Sequence, residues 1–324
     1  MTAAPSAIPE TLRVLSHTQM TTFMRCPREH HFRYGLRRAP KDDAEALRFG
    51  RLWSIFLECH YTGLDWLSKV TPVAIDEFEL AKVTALALGY ETRWADETLE
   101  TLAVELTFQT PIVNPETNRP SQTFQLGGRL DRVARDRETG EAILVESKTT
   151  SDEIGYGADY WRTISTTDPQ VSTYYPGARS RGYDVARCVY DVTRKPAQRP
   201  HKATPEESRK YTKTGALYAN QRDRDETPEE YFERIVEAIA EDPNKYYARG
   251  DVVRLERDER EHASDVWHTA RLIRESELAQ RAPRNPQSCK RFGRLCAFFP
   301  VCSGEARIED FPMKDGEVNE GKEV

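Results

Sequence analysis

Apolar positions along this chain recur with two periods, and the order of the two is that of an α/β protein. Ser16-His17-Thr18-Gln19 reads as a capping box that opens a helix through TQMTTFMRCPREHHFRYGLRR, interrupted or bent at Pro27. Helical spacing covers Ala44 to about Leu67 and Asp76 to about Leu99. Thr101–Thr110 then alternates as a strand. Thr123–Arg135 and Glu141–Thr149 read as a strand pair joined by the turn-forming Asp136-Arg137-Glu138-Thr139-Gly140. Asp168-Pro169-Gln170 starts another helix, with Asp as N-cap and Pro at the first helical position. Arg187–Val192 is a further strand, Thr227-Pro228-Glu229-Glu230 caps a helix to about Ala240, and Glu256–Gln280 is a long final helix.

The 324 residues, 38% of them hydrophobic, suffice for one large core or two modest ones. The chain shows no run of eighteen apolar residues, and MTAAPSAIPETLRV lacks the features of a signal peptide, so neither membrane span nor export is expected and the cytoplasm is the default compartment. Thiols stay reduced there, which makes clustered cysteines better metal ligands than disulfide partners. The net charge of −6 is unevenly placed: Arg25–Arg51 holds eight basic residues against four acidic, and Arg281–Cys302 holds five basic and no acidic. Arg187–Arg224 is a third basic stretch, and residues 195–226, which overlap it, read as a loop insertion, residues 1–15 as a flexible N-terminus and 306–324 as a flexible acidic tail. Residues 16–305 remain as one domain.

The chemistry concentrates in ILVESKTT, a strand that begins apolar and ends polar. Alternation puts Glu146 and Lys148 on one face and turns Ser147 away with its carbonyl still available. Those two residues alone read more readily as a structural, cross-strand ion pair. Asp131, on the preceding strand after Gly127-Gly128-Arg129-Leu130, changes the balance. Two converging carboxylates repel unless a cation lies between them, and a hard, oxygen-seeking ion such as Mg²⁺ or Mn²⁺ suits them.

GGRLDRV, then Glu146-Ser147-Lys148, then Gln170-Val171-Ser172-Thr173-Tyr174 resembles the PD-(D/E)xK nucleases of the RecB and Cas4 type, whose pattern is GxxDrv, (D/E)xK and QxxxY. The resemblance implies a restriction-endonuclease-like α/β core, a mixed sheet flanked by helices. It also implies Mg²⁺ or Mn²⁺ held by Asp131, Glu146 and the Ser147 carbonyl, a catalytic Lys148, and DNA guided by Gln170, Tyr174 and Arg129. Cys26 in a CPR segment, with Cys289, Cys296 and Cys302 in CKRFGRLCAFFPVC, is similar to the branch whose two chain ends share a [4Fe–4S] cluster. Zinc is the chemical rival, although structural zinc sites usually show closer Cys-x₂₋₄-Cys pairs. Cys59 and Cys188 read as ordinary core thiols.

One position departs from the family pattern G-x-x-x-H-x-x-x-E. Gly50 and Glu58 are kept, but Ser54 stands where the metal-binding histidine is expected. His60 lies six residues on, about 120° around the helix. Glu58 then becomes the candidate substitute ligand. The implied function is a DNase, an exonuclease on single-stranded ends in recombination, repair or phage DNA processing, with any helicase motor supplied by a separate partner because the chain has no Walker A sequence. Two alternatives stand beside it: a catalytically weak DNA-binding or assembly module, and a Cas4-like processing subunit active only in a complex.

Overall fold

The structure is a computed structural model, and it describes residues 12–41, 45–291 and 293–314. The proposed helix start at Ala44 and most of the two proposed flexible ends lie outside those residues.

The chain opens with a short strand, β1 (Arg13–Leu15), followed by α1 (His17–Arg25), whose N-cap Ser16 accepts the Gln19 N–H through its hydroxyl. The backbone then becomes extended at Cys26 (φ −157°) and restarts as α2 (Pro27–His30), running into a π-helical turn, His31–Gly35. The interruption falls where a proline cannot continue the hydrogen-bond ladder, and it leaves Cys26 between two helices. Next come α3 (Glu45–Thr62), α4 (Trp66–Val70) and α5 (Glu77–Arg93). The single helix expected to Leu67 is thus two, because Gly63 takes φ +71° and Asp65 caps a new start. Leu99, expected as a helix end, begins a strand instead.

The six-stranded sheet found among the described residues is built on a long hairpin. β2 (Leu99–Val113) and β4 (Ala142–Thr150) both pair antiparallel with β3 (Pro120–Asp136). β1 pairs parallel with the first half of β3, Arg13 opposite Phe124, on the edge that β4 takes further along. Gly127 explains how β1 fits: a Cβ there would lie 2.3 Å from the Val14 side chain. After β4 come α6 (Asp159–Thr167) and α7 (Pro169–Ser180), and they lead into β5 (Val185–Arg194), which lies parallel to β4. α8 (Pro228–Glu241) precedes β6 (Tyr247–Val252), antiparallel to β5, and α9 (Glu256–Leu278) follows.

Helices cover both faces. One core joins Leu130, Val133, Leu144 and Tyr190 of the sheet to α1, α7 and α9, and another packs α3, α5 and α8 together. Ile143, Leu144 and Val145 are all buried, as a strand covered on both faces requires.

Further differences lie at the two ends of the chain. Arg13–Leu15 is paired strand rather than flexible terminus, and α9 is not last, because a hairpin of β7 (Lys290–Arg291) and β8 (Arg294–Leu295) and a short α10 (Phe299–Ser303) follow. The tail also packs as far as it is described. Phe311 is buried against Phe298, and Lys314 N–H donates to the Arg37 carbonyl. Residues 195–226 hold only a 3-10 turn and an isolated bridge, Tyr211 to Leu217, yet ion pairs such as Lys202–Asp225 and Arg234–Glu226 tie them down.

Candidate active site and cysteine cluster

Asp131 and Glu146 lie on neighbouring antiparallel strands, one step beyond the paired Arg132 and Val145. Glu146 reaches towards α7 through Lys148 and Gln170, while Asp131, opposite it, also borders a cavity lined by α3. The Ser147 N–H donates to Asp131 Oδ2 (2.9 Å), tying the second motif to the first. Lys148 Nζ pairs with Glu146 Oε1 at 2.8 Å and donates to Gln170 Oε1. Gln170 Nε2 in turn donates to the Tyr174 hydroxyl at 2.5 Å, as two residues one helical turn apart can. Asp168 fixes the start of that helix: its Oδ1 accepts the Gln170 N–H and its Oδ2 accepts the Tyr190 hydroxyl. The residues of the three motifs therefore form one hydrogen-bonded chain.

Burial and the close approach of like and unlike charges set the electrostatics of the cluster. Burial, with the charge of Asp131 added, pushes the Glu146 carboxyl up to about 8. Burial also raises Asp131, against the pull of the Ser147 N–H and of Lys148. Burial works to discharge Lys148, but Asp168 and Asp131, joined by Glu146 once it ionises, face it and raise it above its ordinary value. Glu146 Oε2 is buried with no hydrogen-bond partner, an arrangement that costs energy unless something else satisfies the oxygen. An oxygen-seeking divalent ion fits that donor set.

Ser54, Glu58, Glu105, Asp131 and Ser147 line one small cavity, so the carboxylate-bearing turn of α3 borders the site with serine at the departed histidine position. His60 packs instead against Phe56, Tyr61 and Tyr90, with Nδ1 3.4 Å from Glu91, and does not line that cavity. Arg129, expected to guide DNA, is paired with Glu105. Glu105 went unnoticed in the sequence. It stands on β2 between the pairs Val104–Arg132 and Leu106–Leu130, which puts it beside Asp131, and its backbone has φ 52°. That left-handed conformation is uncommon for a residue other than glycine.

A buried ionic network also escaped sequence reading. Arg249 Nη2 reaches Asp191 at 2.8 Å and Glu97 at 3.2 Å, while the Tyr90 hydroxyl donates to Asp191 at 2.5 Å. Arg132, next to Asp131 in the chain, pairs with Glu97 at 2.5 Å and lies over the Tyr61 ring. The network ties α3 and α5 to β3, β5 and β6.

The four cysteines from the two chain ends line one cavity together with Phe32 and Phe298. The ends are latched there: the Asn285 side-chain amide and the Ser288 hydroxyl donate to the Arg25 carbonyl and Arg28 donates to the Ala282 carbonyl, while within the C-terminal end the Cys296 N–H donates to the Cys289 carbonyl. All four thiols are free, and burial raises both Cys296 and Cys302. In donor type and number they fit a four-thiolate centre, iron–sulfur or zinc. Among the described residues no three His, Cys, Asp or Glu form a group that could hold an ion, neither at these thiols nor at the carboxylates. Cys59 and Cys188 are buried elsewhere, in the cores around α3 and β5. No helix among the described residues is long and apolar enough to cross a membrane.

No curated protein matches the chain in sequence. A solved structure titled "Crystal structure of SSO0001" aligns with 13% identity over 89% of this chain and 98% of that one, but its TM-score of 0.31 is too low to bear on the fold. The PD-(D/E)XK nuclease superfamily matches residues 14–303, from β1 to the end of α10, a span that contains the carboxylate pair, the lysine and all four clustered cysteines. The chain belongs to the PD-(D/E)XK nuclease superfamily.

Proposed function

We propose that this protein is a Mg²⁺- or Mn²⁺-dependent deoxyribonuclease of the RecB and Cas4 type, an exonuclease on single-stranded DNA ends whose two chain ends are clamped by a [4Fe–4S] cluster. The observation that carries the reading is the buried, unpartnered oxygen of Glu146 beside Asp131 and the protonated Lys148. Asp131, Glu146 and the Ser147 carbonyl would hold the ion. Bound there, a divalent cation supplies Lewis-acid polarisation of the scissile phosphoryl group. Lys148 stays charged, so it serves as a donor that orients the attacking water and steadies the charge growing on phosphate oxygens, not as a base. Gln170 and Tyr174 keep its ammonium aimed.

The four thiols would hold the cluster, and a helicase or recombination partner would deliver the strand. Ser54 in the histidine position favours a second reading, a catalytically weak DNA-binding module. Anaerobically purified protein incubated with end-labelled single- and double-stranded DNA separates the two. Cleavage that requires Mg²⁺ or Mn²⁺ supports the nuclease, whereas DNA binding without cleavage supports the module.

A further inference from the structure

We propose that Tyr156 stacks on a nucleobase of the strand held at the Asp131–Glu146–Lys148 site, an inference that rests on the nuclease reading. The segment between β4 and α6 leaves the sheet two residues after Lys148. It returns at Tyr160, whose phenol senses the charges of Lys148, Asp168, Asp152 and Glu146. Both ends of the loop are thus anchored beside the site.

The loop is held at its shoulders and bare at its tip. Ile154 is buried at 1% exposure, its carbonyl accepts the Trp161 indole N–H at 2.8 Å, and the Ala158 N–H donates to the Gly155 carbonyl at 3.0 Å. Arg194, at the end of the parallel neighbour β5, pairs with Glu153 at 2.5 Å. Between these anchors Tyr156 is 109% exposed, the most exposed of the large hydrophobic side chains described. Gly155 and Gly157 flank it, with open space around both and φ +81° at Gly157. Burying nothing, the ring contributes little to folding, and an aromatic face held out beside a strand-cutting site is suited to base stacking. Acidic neighbours decide which part of the strand it meets. Asp152, Glu153 and Asp159 would repel phosphates, which leaves the bases to this loop.

The test uses the full chain carrying Lys148→Ala, so that the strand is not cut, and a single-stranded oligonucleotide containing 2-aminopurine. Stacking by Tyr156 predicts fluorescence quenching on binding. It also predicts that adding Tyr156→Ala weakens binding about tenfold and removes the quenching, with an unchanged salt slope and an unchanged melting temperature. Tyr156→Phe should retain both binding and quenching. Binding equal to that of the parent when Tyr156 is alanine overturns the stacking role alone. Failure of the Lys148→Ala parent to bind any oligonucleotide overturns the nuclease reading, and the stacking role falls with it.

Discussion

Cation uptake at the Asp131–Glu146 pair should release a proton, and the affinity should climb with pH until about 8. In the cation-free protein, burial and the charge of Asp131 hold Glu146 protonated up to about 8. A divalent ion needs both carboxylates ionised, so below that pH each ion displaces about one proton. One proton per ion weakens binding about tenfold, or about 1.4 kcal/mol, for each pH unit of descent. Affinity at about pH 6 should then be roughly a hundredfold below that at about pH 8. The same group acts on stability in the opposite direction. Its folded value lies above the 4.5 of an ordinary glutamate, so between the two the folded chain binds more protons than the unfolded one, and stability falls as pH rises through that window. Saturating cation should remove that pH dependence. Calorimetric titration of Mn²⁺ in two buffers of different ionisation enthalpy counts the protons directly, with Asp131→Asn as the variant that should take up no ion. Binding near pH 6.5 with no proton release would refute the account of the pair.

Three further outcomes follow from other parts of the structure. Glu58→Ala should raise the cation concentration needed for cleavage, because Glu58 borders the Asp131 cavity, whereas His60→Ala should not, because His60 packs against α5; a titration of rate against Mn²⁺ compares them. Replacing any of Cys26, Cys289, Cys296 or Cys302 by Ala should lower the melting temperature and remove the brown absorbance and the iron, about four irons per chain in the parent, while Cys59→Ala and Cys188→Ala leave the colour intact. One zinc and no iron in the parent would refute the iron–sulfur assignment while leaving the clamp in place. Asp191→Ala removes the nearer of the two carboxylates that pair with Arg249, leaving Glu97, and should cost about 1.5–3 kcal/mol in denaturant unfolding, where an unchanged midpoint would show that the network carries no stability.

What could be read from the sequence was what short stretches encode. The β3–β4 hairpin, the Asp168 cap and the break at Pro27 each rest on residues within a turn or two of one another, and the carboxylates and Lys148 follow from strand alternation once the hairpin is known. β1 was not legible because three residues carry no period, and its place depends on Gly127, more than a hundred positions away, leaving room for Val14. β6 escaped because YARGDV mixes charge and glycine into a strand whose partner, β5, supplies its order. The network of Tyr90, Glu97, Arg132, Asp191 and Arg249 comes from five separate elements and segments, so no local pattern announces it. Glu105 was hidden for a similar reason: its nearness to Asp131 is a matter of register between β2 and β3. The tail through Lys314 looked solvated by composition, yet one aromatic residue, Phe311, docks it beside the cysteines.

The most direct test of the central claim is single-turnover cleavage of a 5′-labelled single strand in Mg²⁺ or Mn²⁺ by the parent protein and by Lys148→Ala, with binding of the strand measured in parallel. Lys148 is asked to act on the reacting phosphate while Asp131 and Glu146 hold the ion, so the variant should bind DNA and cation nearly as the parent does and cut at least about a hundredfold more slowly. Cleavage by Lys148→Ala at the parent rate would contradict the assignment of this site as the place where the chain cuts DNA.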